Sequence, residues 1–298
     1  MSRYKQLNLG MIKCIFLGET SDSRVIARQM LRNKPALFGL AVVILVVSMT
    51  LFADFMAPYD PSAQDLTKRL QPPSLEHPFG LDEFGRDILS RVIHGARVSM
   101  LVGISVITLA LGVGMLLGVF SGYFGGKVDM LVMRVADIFL AFPGLILAIG
   151  FMAVLGQSLT NVIVSLVLVN WPGYARVIRG QVLHIRGIEY VEAARAIGAS
   201  HRSIMLGHIL PNAMSPLIVL ATIGMGWAIL AEAGLSFLGL GVKPPTPSWG
   251  AIISSGRAYL IQAPHIATIP GLILALTILA FNLIGDAIRD ALDPRMRT

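Results

Sequence analysis

The chain has 298 residues, of which 55% are hydrophobic and 14% are charged, and its mean hydropathy is +0.72. Soluble domains carry about 25% charged residues, so this composition excludes an ordinary soluble protein and predicts one that resides in a lipid bilayer. The net charge of +7 does not indicate nucleic acid, because basic residues in a membrane protein first report orientation. The single cysteine, Cys14, excludes an intrachain disulfide and a zinc framework built on cysteines.

Five runs without a charged residue are long enough to cross the hydrocarbon core, which needs about 20 apolar residues. They are residues 35–53, 98–126, 138–175, 203–231 and 258–285. The third run is too long for one span, and Gly156, Ser158 and Asn161 predict a turn in its middle. We therefore expect an all-α polytopic membrane protein with six transmembrane helices, near residues 35–57, 98–120, 130–155, 159–179, 212–238 and 265–285.

Lysine and arginine predict the orientation, since loops rich in these residues stay in the cytoplasm. With the N-terminus inside, the inner segments hold 17 of the 24 basic residues and the outer segments hold 7. Both termini are therefore predicted to be cytoplasmic. The expected organisation is an N-terminal cytoplasmic segment (1–34), a first span (35–57), an external loop (58–97), a core (98–287) and a cytoplasmic tail (288–298).

The basic N-terminal segment and the external loop each suggest a surface helix. Arg24, Arg28 and Arg32 recur every four residues, which is typical of an interfacial helix, although a solvated basic lead-in is an equal alternative. Residues 85–97 collect apolar side chains on one side of a helix, with Asp87 and Arg91 at i and i+4. This pattern predicts an amphipathic helix on the outer surface.

The second span is rich in glycine, which allows neighbouring helices to approach closely in lipid. Gly103, Gly112, Gly114 and Gly118 are the residues concerned. The glycine-rich stretch that follows, residues 121–129, is predicted to be a turn. It is not a phosphate loop, because Val128 stands where Ser or Thr must follow Lys127. Any ATP must then be handled by a partner.

The third and fourth spans carry residues that break helices. Pro143 can kink the third span, and Pro172 predicts another break in the inner half of the fourth. Arg134 and Asp137 stand at i and i+3 near the predicted cytoplasmic end of the third span, where they can pair or snorkel.

A charged stretch at residues 190–212 interrupts the apolar sequence between the fourth and fifth spans. Glu192, Arg195 and Arg202 exclude a membrane span here, and Gly198 can end a short amphipathic helix. We expect this helix to lie outside the bilayer, with Pro211 closing the segment. The small residues Ala193, Ala194 and Gly198 make a shallow surface that suits a groove on another protein. An ordinary polar loop is the alternative.

Glu232 is the one acidic residue well inside the fifth span, and an ionisable group at that depth is a functional candidate. A hydrogen-bonded structural role is the interpretation we favour, and contact with the amino group of a transported peptide is the alternative. In the external loop that follows, Trp249 is predicted to anchor the chain at the membrane interface.

These motifs resemble those of a known family. Glu192, Ala193, Ala194, Gly198, Leu210 and Pro211 follow the EAA-loop pattern of ABC importer permeases, although His208 stands where that pattern has Ile. Residues 79–97, 235–250 and 281–298 are similar to segments of the C-type permeases of the dipeptide, oligopeptide and nickel importers.

The resemblance implies a MetI-like permease fold, in the plasma membrane of a bacterium or archaeon, and a role without catalysis of its own. It also implies that the 187–211 loop docks on an ATPase through those six residues. The implied partners are a second homologous permease, two cytoplasmic ATPase subunits that bind ATP and Mg²⁺, and an external solute-binding protein. No cofactor is expected in this chain. Dipeptides, oligopeptides, glutathione and nickel chelates remain open as substrates, and a self-contained ion-coupled transporter is the competing class.

Overall fold

The computed structural model describes residues 33–292. The predicted basic helix around Arg24 and Arg28 and the tail beyond residue 292 lie outside them. Within this range the fold is built of helices, and the only β-type pairing is an isolated bridge between Leu81 and Asp87. The α-helices are α1 (Lys34–Leu51), α2 (Ala53–Met56), α3 (Ile88–Phe124), α4 (Gly126–Leu140), α5 (Gly144–Leu155), α6 (Leu159–Ile185), α7 (Glu189–Ala196), α8 (His201–Ile204), α9 (Leu210–Phe237), α10 (Trp249–Gly256) and α11 (His265–Leu292).

Five helical stretches of the described chain are long and apolar enough to cross a membrane, namely α1, α3, α6, the stretch from His201 to Phe237, and α11. The pair α4 and α5 counts as a sixth only if it is one span, because the two helices meet at 89°. Pro143 stands immediately before α5 and lacks the N–H that would continue the α4 ladder. The sequence predicted a kink at this proline, and the structure shows a full break.

Helix α3 is one continuous helix of 37 residues, about 55 Å long at 1.5 Å per residue. It therefore joins the predicted amphipathic helix to the second span. That helix is present, but it is not on the outer surface, since Ile88, Val92 and Ala96 are fully buried. Asp87 caps its first turn by accepting from the N–H of Ser90 at 2.8 Å. The predicted pairing of Asp87 with Arg91 does not form, since Arg91 donates to the carbonyl of Pro61 and Asp87 binds His77.

Helix α6 packs along α3 through the glycines of the second span. A Cβ on Gly114 would lie 2.6 Å from Cβ of Tyr174, and a Cβ on Gly118 would lie 2.6 Å from the carbonyl oxygen of Ala175. Gly122 extends this seam toward the end of α3. Gly112, by contrast, has open space beside it. The packing role predicted for Gly114 and Gly118 is thus seen directly.

Helix α6 also runs unbroken through Pro172, so the predicted break in the fourth span is wrong. Pro172 is buried, and a spanning helix can tolerate a proline within it. Only one broken span therefore precedes α7.

The end of the molecule at the start of α3 is closed by the segment 57–87 and by α10. Trp249 is fully buried there and its indole N–H donates to the carbonyl of Val92 at 2.9 Å, so the prediction of an interfacial anchor is wrong. It packs with Ile88, Val92 and Ile252 in one apolar cluster.

Helix α11 packs against α9 and α1 and extends to Leu292, past the predicted end of the sixth span at residue 285.

Candidate functional site

The charged stretch forms a short helix at the far end of α3 from Trp249. Helix α7 begins with two acidic residues, Glu189 and Glu192, and has Arg195 in its last turn, an order that complements the helix dipole. Val191 and Ala194, three residues apart, face inward and join the apolar cluster that contains Ile178 and Ile204. The amphipathic helix expected from the sequence is present, and its apolar stripe attaches it to the membrane-spanning helices.

Gly198 ends α7 in the left-handed conformation, with φ of +84°. The N–H of Ala199 donates to the carbonyl of Ala194 and the N–H of Gly198 donates to that of Arg195, both at 3.0 Å. These two bonds form a Schellman motif, which satisfies carbonyls that the helix end would otherwise leave free. A residue with a side chain is strained at this φ, which explains the glycine.

The predicted docking residues divide between two faces of α7. Glu192 and Ala193 are exposed on its outer face, and so is Gly198. Ala194 is buried, so its predicted place on the outer surface is wrong. Ile197, directly after the helix, is 86% exposed although it is apolar. The outer face therefore combines a small residue, an acid and an isoleucine that the chain itself leaves uncovered.

Leu210 and Pro211 lie in a different element from α7. The helix that begins at His201 continues through a π-helical turn, Met205–Ile209, into α9, and Pro211 sits in the first turn of α9. Because this helix is continuous, Pro211 lacks an N–H that the hydrogen-bond ladder would use, and the π turn lies immediately before it. The sequence predicted that Pro211 closes the segment, and this prediction is wrong because the helix continues through it. The Asn212 amide donates to the carbonyl of His208 at 2.6 Å and satisfies one backbone group of the π turn.

Polar contacts hold α8 and the end of α6 against the end of α3. The Tyr123 hydroxyl lies 2.8 Å from Nδ1 of His201, which joins the end of α3 to α8. Nη1 of Arg186 donates to the carbonyls of Gly122 and Tyr123 at 2.9 and 3.2 Å, capping the C-terminus of α3. These contacts were not expected from the sequence. The Gly125–Gly126 pair is the sequence signal that could have predicted them, because two glycines place Tyr123 at the end of a helix.

An open groove of about 760 Å³ lies beside α7. Its lining residues come from the ends of α3 and α6 and from the α7–α8 segment: Tyr123, Phe124, Leu183, Arg186, Gly187, Glu192, Arg195 and His201. The guanidinium of Arg195 lies 5.9 Å from the centre of the Tyr123 ring. Helix α7 and the groove together form a surface that is attached to the ends of α3 and α6. We call this surface, α7 with the adjoining groove, the coupling surface.

Glu232 is far from the coupling surface, 22 residues along α9 from Leu210, a rise of about 33 Å. Its side chain is fully buried. The hydroxyl of Ser236 donates to Oε1 at 2.7 Å, and that of Ser99 donates to Oε2 at 3.3 Å. Ser248, which caps α10, lies 3.3 Å from Ser236 and extends the network. The partners of Glu232 that the sequence left open are thus Ser99 on α3 and Ser236 on α9, with Ser248 at the start of α10 bonded to Ser236.

By its fold, the chain is a multi-pass α-helical membrane protein with a short helix attached to one end of its spans. Residues 114–298 match the family described as "Binding-protein-dependent transport system inner membrane component". Residues 22–73 match the "N-terminal TM domain of oligopeptide transport permease C". The chain belongs to this family of binding-protein-dependent permeases, of the oligopeptide permease C type.

Named relatives agree with this assignment. The chain is 43% identical to a dipeptide transport system permease protein of Alkalihalophilus pseudofirmus, over 91% of this chain and 89% of the relative. It is 44% identical to a glutathione transport system permease protein of Escherichia coli O157:H7, with the same coverage. A di/tripeptide transport system permease protein of Pseudomonas aeruginosa is 45% identical, over 89% of each chain.

Among solved structures, the inward-facing MetNI methionine ABC transporter has a chain of similar fold. The TM-score is 0.53 at 23% identity, covering 69% of this chain and 96% of that one. The expectation of an all-α MetI-like permease fold is confirmed. The chain is a transmembrane permease subunit of an ABC importer, and the subunit itself is non-catalytic. Its family works with ATPase and binding-protein partners. The competing class, a self-contained ion-coupled transporter, is thereby set aside.

Proposed function

We propose that this permease subunit forms half of a pathway that imports short peptides, and that α7 transmits the motion of an ATPase to the spans. The other half of the pathway would be a second homologous permease. Two ATPase subunits would bind ATP and Mg²⁺ on the cytoplasmic side, where the chain would also place both termini. The relatives are dipeptide, di/tripeptide and glutathione permeases, which supports a short peptide as the cargo.

The observation that best supports the coupling role is that α7 has one face buried against the spans and the other face exposed. Its inner stripe, Val191 and Ala194, is buried against the spans, while Ile197 is left 86% exposed beside the shallow surface of Ala193 and Gly198. A shallow surface with an apolar side chain beside a groove is one on which another protein can dock with close backbone approach. Glu192, Ala193 and Gly198 would face the ATPase, Ala194 would hold the helix on the spans, and Leu210 and Pro211 would carry the motion into α9.

A charge placed at Ile197 tests the proposal. Because Ile197 contacts little of its own chain, Ile197→Asp should insert and fold normally while losing the ATPase subunits and uptake. The matched control is Ile261→Asp, since Ile261 is 99% exposed near the start of α11, at the opposite end of the molecule. Co-purification of the ATPase at equal permease levels is the measurement. Full retention of the ATPase and of uptake in Ile197→Asp would refute the docking role of α7.

A further inference from the structure

Two opposite charges lie on the exposed surface of the spans. Arg176 on α6 donates from Nη2 to Oδ1 of Asp137 on α4 at 2.6 Å. The two side chains are 53% and 51% exposed. Asp137 was expected to pair with Arg134 on its own helix or to snorkel, and it pairs across to α6 instead.

The ion pair lies within the apolar part of the molecule. It is about 13 Å from the end of α6 at Ile185. Exposed apolar side chains continue past its level toward the coupling surface, with Met130 and Leu131 on α4 at 66% and 68% exposure. A half-exposed charged pair that faced lipid at this depth would be costly, so such groups face protein or water.

Arg176 lies between two exposed glycines on α6. Gly173 and Gly180, one turn before and one turn after Arg176, are both exposed. A Cβ built on either glycine would have no atom within 4 Å, so the strip is open. Helix α5, in contrast, consists of twelve apolar residues without a polar side chain, as expected of a face turned to hydrocarbon.

We propose that Asp137 and Arg176 line the water-filled passage of the assembled transporter and contact the charged ends of the passing peptide. The passage would run over Gly173 and Gly180. A zwitterionic cargo suits the pair, because its carboxylate can bond to the guanidinium and its ammonium group to the carboxylate. Glu232, the pathway candidate from the sequence, is enclosed by protein and presents no atom to such a cargo. This inference rests on the proposed peptide-import function.

Cysteine accessibility tests whether the strip meets water. Since Cys14 is the only cysteine, Cys14→Ser provides a background without thiols. In that background, Gly173→Cys and Gly180→Cys leave the ion pair intact, and the structure has room for both side chains. Gly150→Cys on α5 is the matched control, because Gly150 is also exposed with open space beside it.

The complete transporter, reconstituted in lipid, is treated with a charged, membrane-impermeant thiosulfonate applied to both faces. We expect both strip cysteines to be modified at least about tenfold faster than the cysteine at position 150, because a charged reagent needs water and reacts with the thiolate. Equal, slow modification at all three positions would overturn the proposal and show that lipid or the second permease covers the strip.

A second ion pair between the same two helices provides the control for charge. Asp129 on α4 pairs with Arg179 on α6, and their side chains are only 20% and 31% exposed. We expect Arg176→Gln to assemble with its partners at the normal level and to lower peptide uptake about tenfold, the value of one hydrogen bond to a charged group. Arg179→Gln should lower the yield of assembled transporter instead.

Normal uptake by an assembled Arg176→Gln transporter would refute the contact with cargo. That result would leave the docking role of α7 untouched, since ATPase co-purification is measured separately. Loss of ATPase subunits in Arg176→Gln would also contradict the inference, because it would give the ion pair a purely structural role.

Discussion

Ser99 on α3 and Glu232 on α9 are joined by a hydrogen bond of 3.3 Å, although 133 residues separate them in the sequence. With Ser236 and Ser248, this bond ties α3, α9 and the start of α10 together at the end of the molecule opposite the coupling surface. Two serine hydroxyls donate to the Glu232 carboxylate, one from its own helix and one from α3. The arrangement supports the structural role for Glu232 over one in which its charge meets the cargo.

The first prediction is that Glu232→Gln retains most uptake. A glutamine oxygen accepts from one serine and its amide group donates to another, so no buried hydroxyl loses its partner. Glu232→Leu, the control of similar size, should be destabilised by about 1–3 kcal/mol because it leaves buried hydroxyls unpaired. Thermal unfolding and uptake at matched protein levels are the measurements. If Glu232→Gln assembles normally but transports almost nothing, Glu232 belongs to the pathway after all.

The second prediction concerns Gly198, where the left-handed backbone costs other residues about 1 kcal/mol or more. Gly198→Leu should insert correctly and lose the ATPase and uptake, whereas Gly198→Asn should lose less, because asparagine tolerates this conformation. Quantitative co-purification of the ATPase with each variant is the measurement. Undiminished ATPase retention in Gly198→Leu would contradict the assignment of α7 as the docking helix.

Ala199 is not a neutral comparison for Gly198. Its side chain packs against the apolar cluster that holds α7 on the spans. Ala199→Leu would therefore overpack that cluster and disturb α7 from beneath. For this reason the control is a second substitution at position 198 itself.

The third prediction addresses the seam between α3 and α6. Gly118→Ala places a Cβ 2.6 Å from the carbonyl oxygen of Ala175, so the helices must separate, at a cost of about 1–3 kcal/mol. Gly112→Ala adds the same methyl group to the same helix in open space and should be neutral or slightly stabilising. Thermal unfolding of the purified transporter compares them. Equal unfolding temperatures would show that close contact at Gly118 is not required.

The fourth prediction is the topology. The segment containing Gln71 and the loop containing Thr246 lie at one end of α3, and α7 lies at the other, about 55 Å away. Reporter fusions after Gln71 and Thr246 should report the outside, and a fusion after Gly187 should report the cytoplasm. If the first two report the cytoplasm, the orientation is inverted and α7 faces away from ATP.

The sequence alone determined the features that depend on local composition and conformation. Charge-free runs located the apolar spans, the glycines at 114 and 118 predicted close packing, and Gly198 predicted the end of α7. Each of these follows from the preferences of a residue and its near neighbours, so it can be derived before any long-range contact is known.

How those features are used depends on contacts between residues that are distant in the sequence. Pro143 stands at a break between two helices, whereas Pro172 is buried within a continuous helix. Asp137 pairs with Arg176 across two helices instead of along its own. Glu232 and Asp137 look alike as acids in apolar runs, but packing encloses the first and leaves the second half-exposed. Burial depends on contacts between residues far apart in the chain, which no local pattern records.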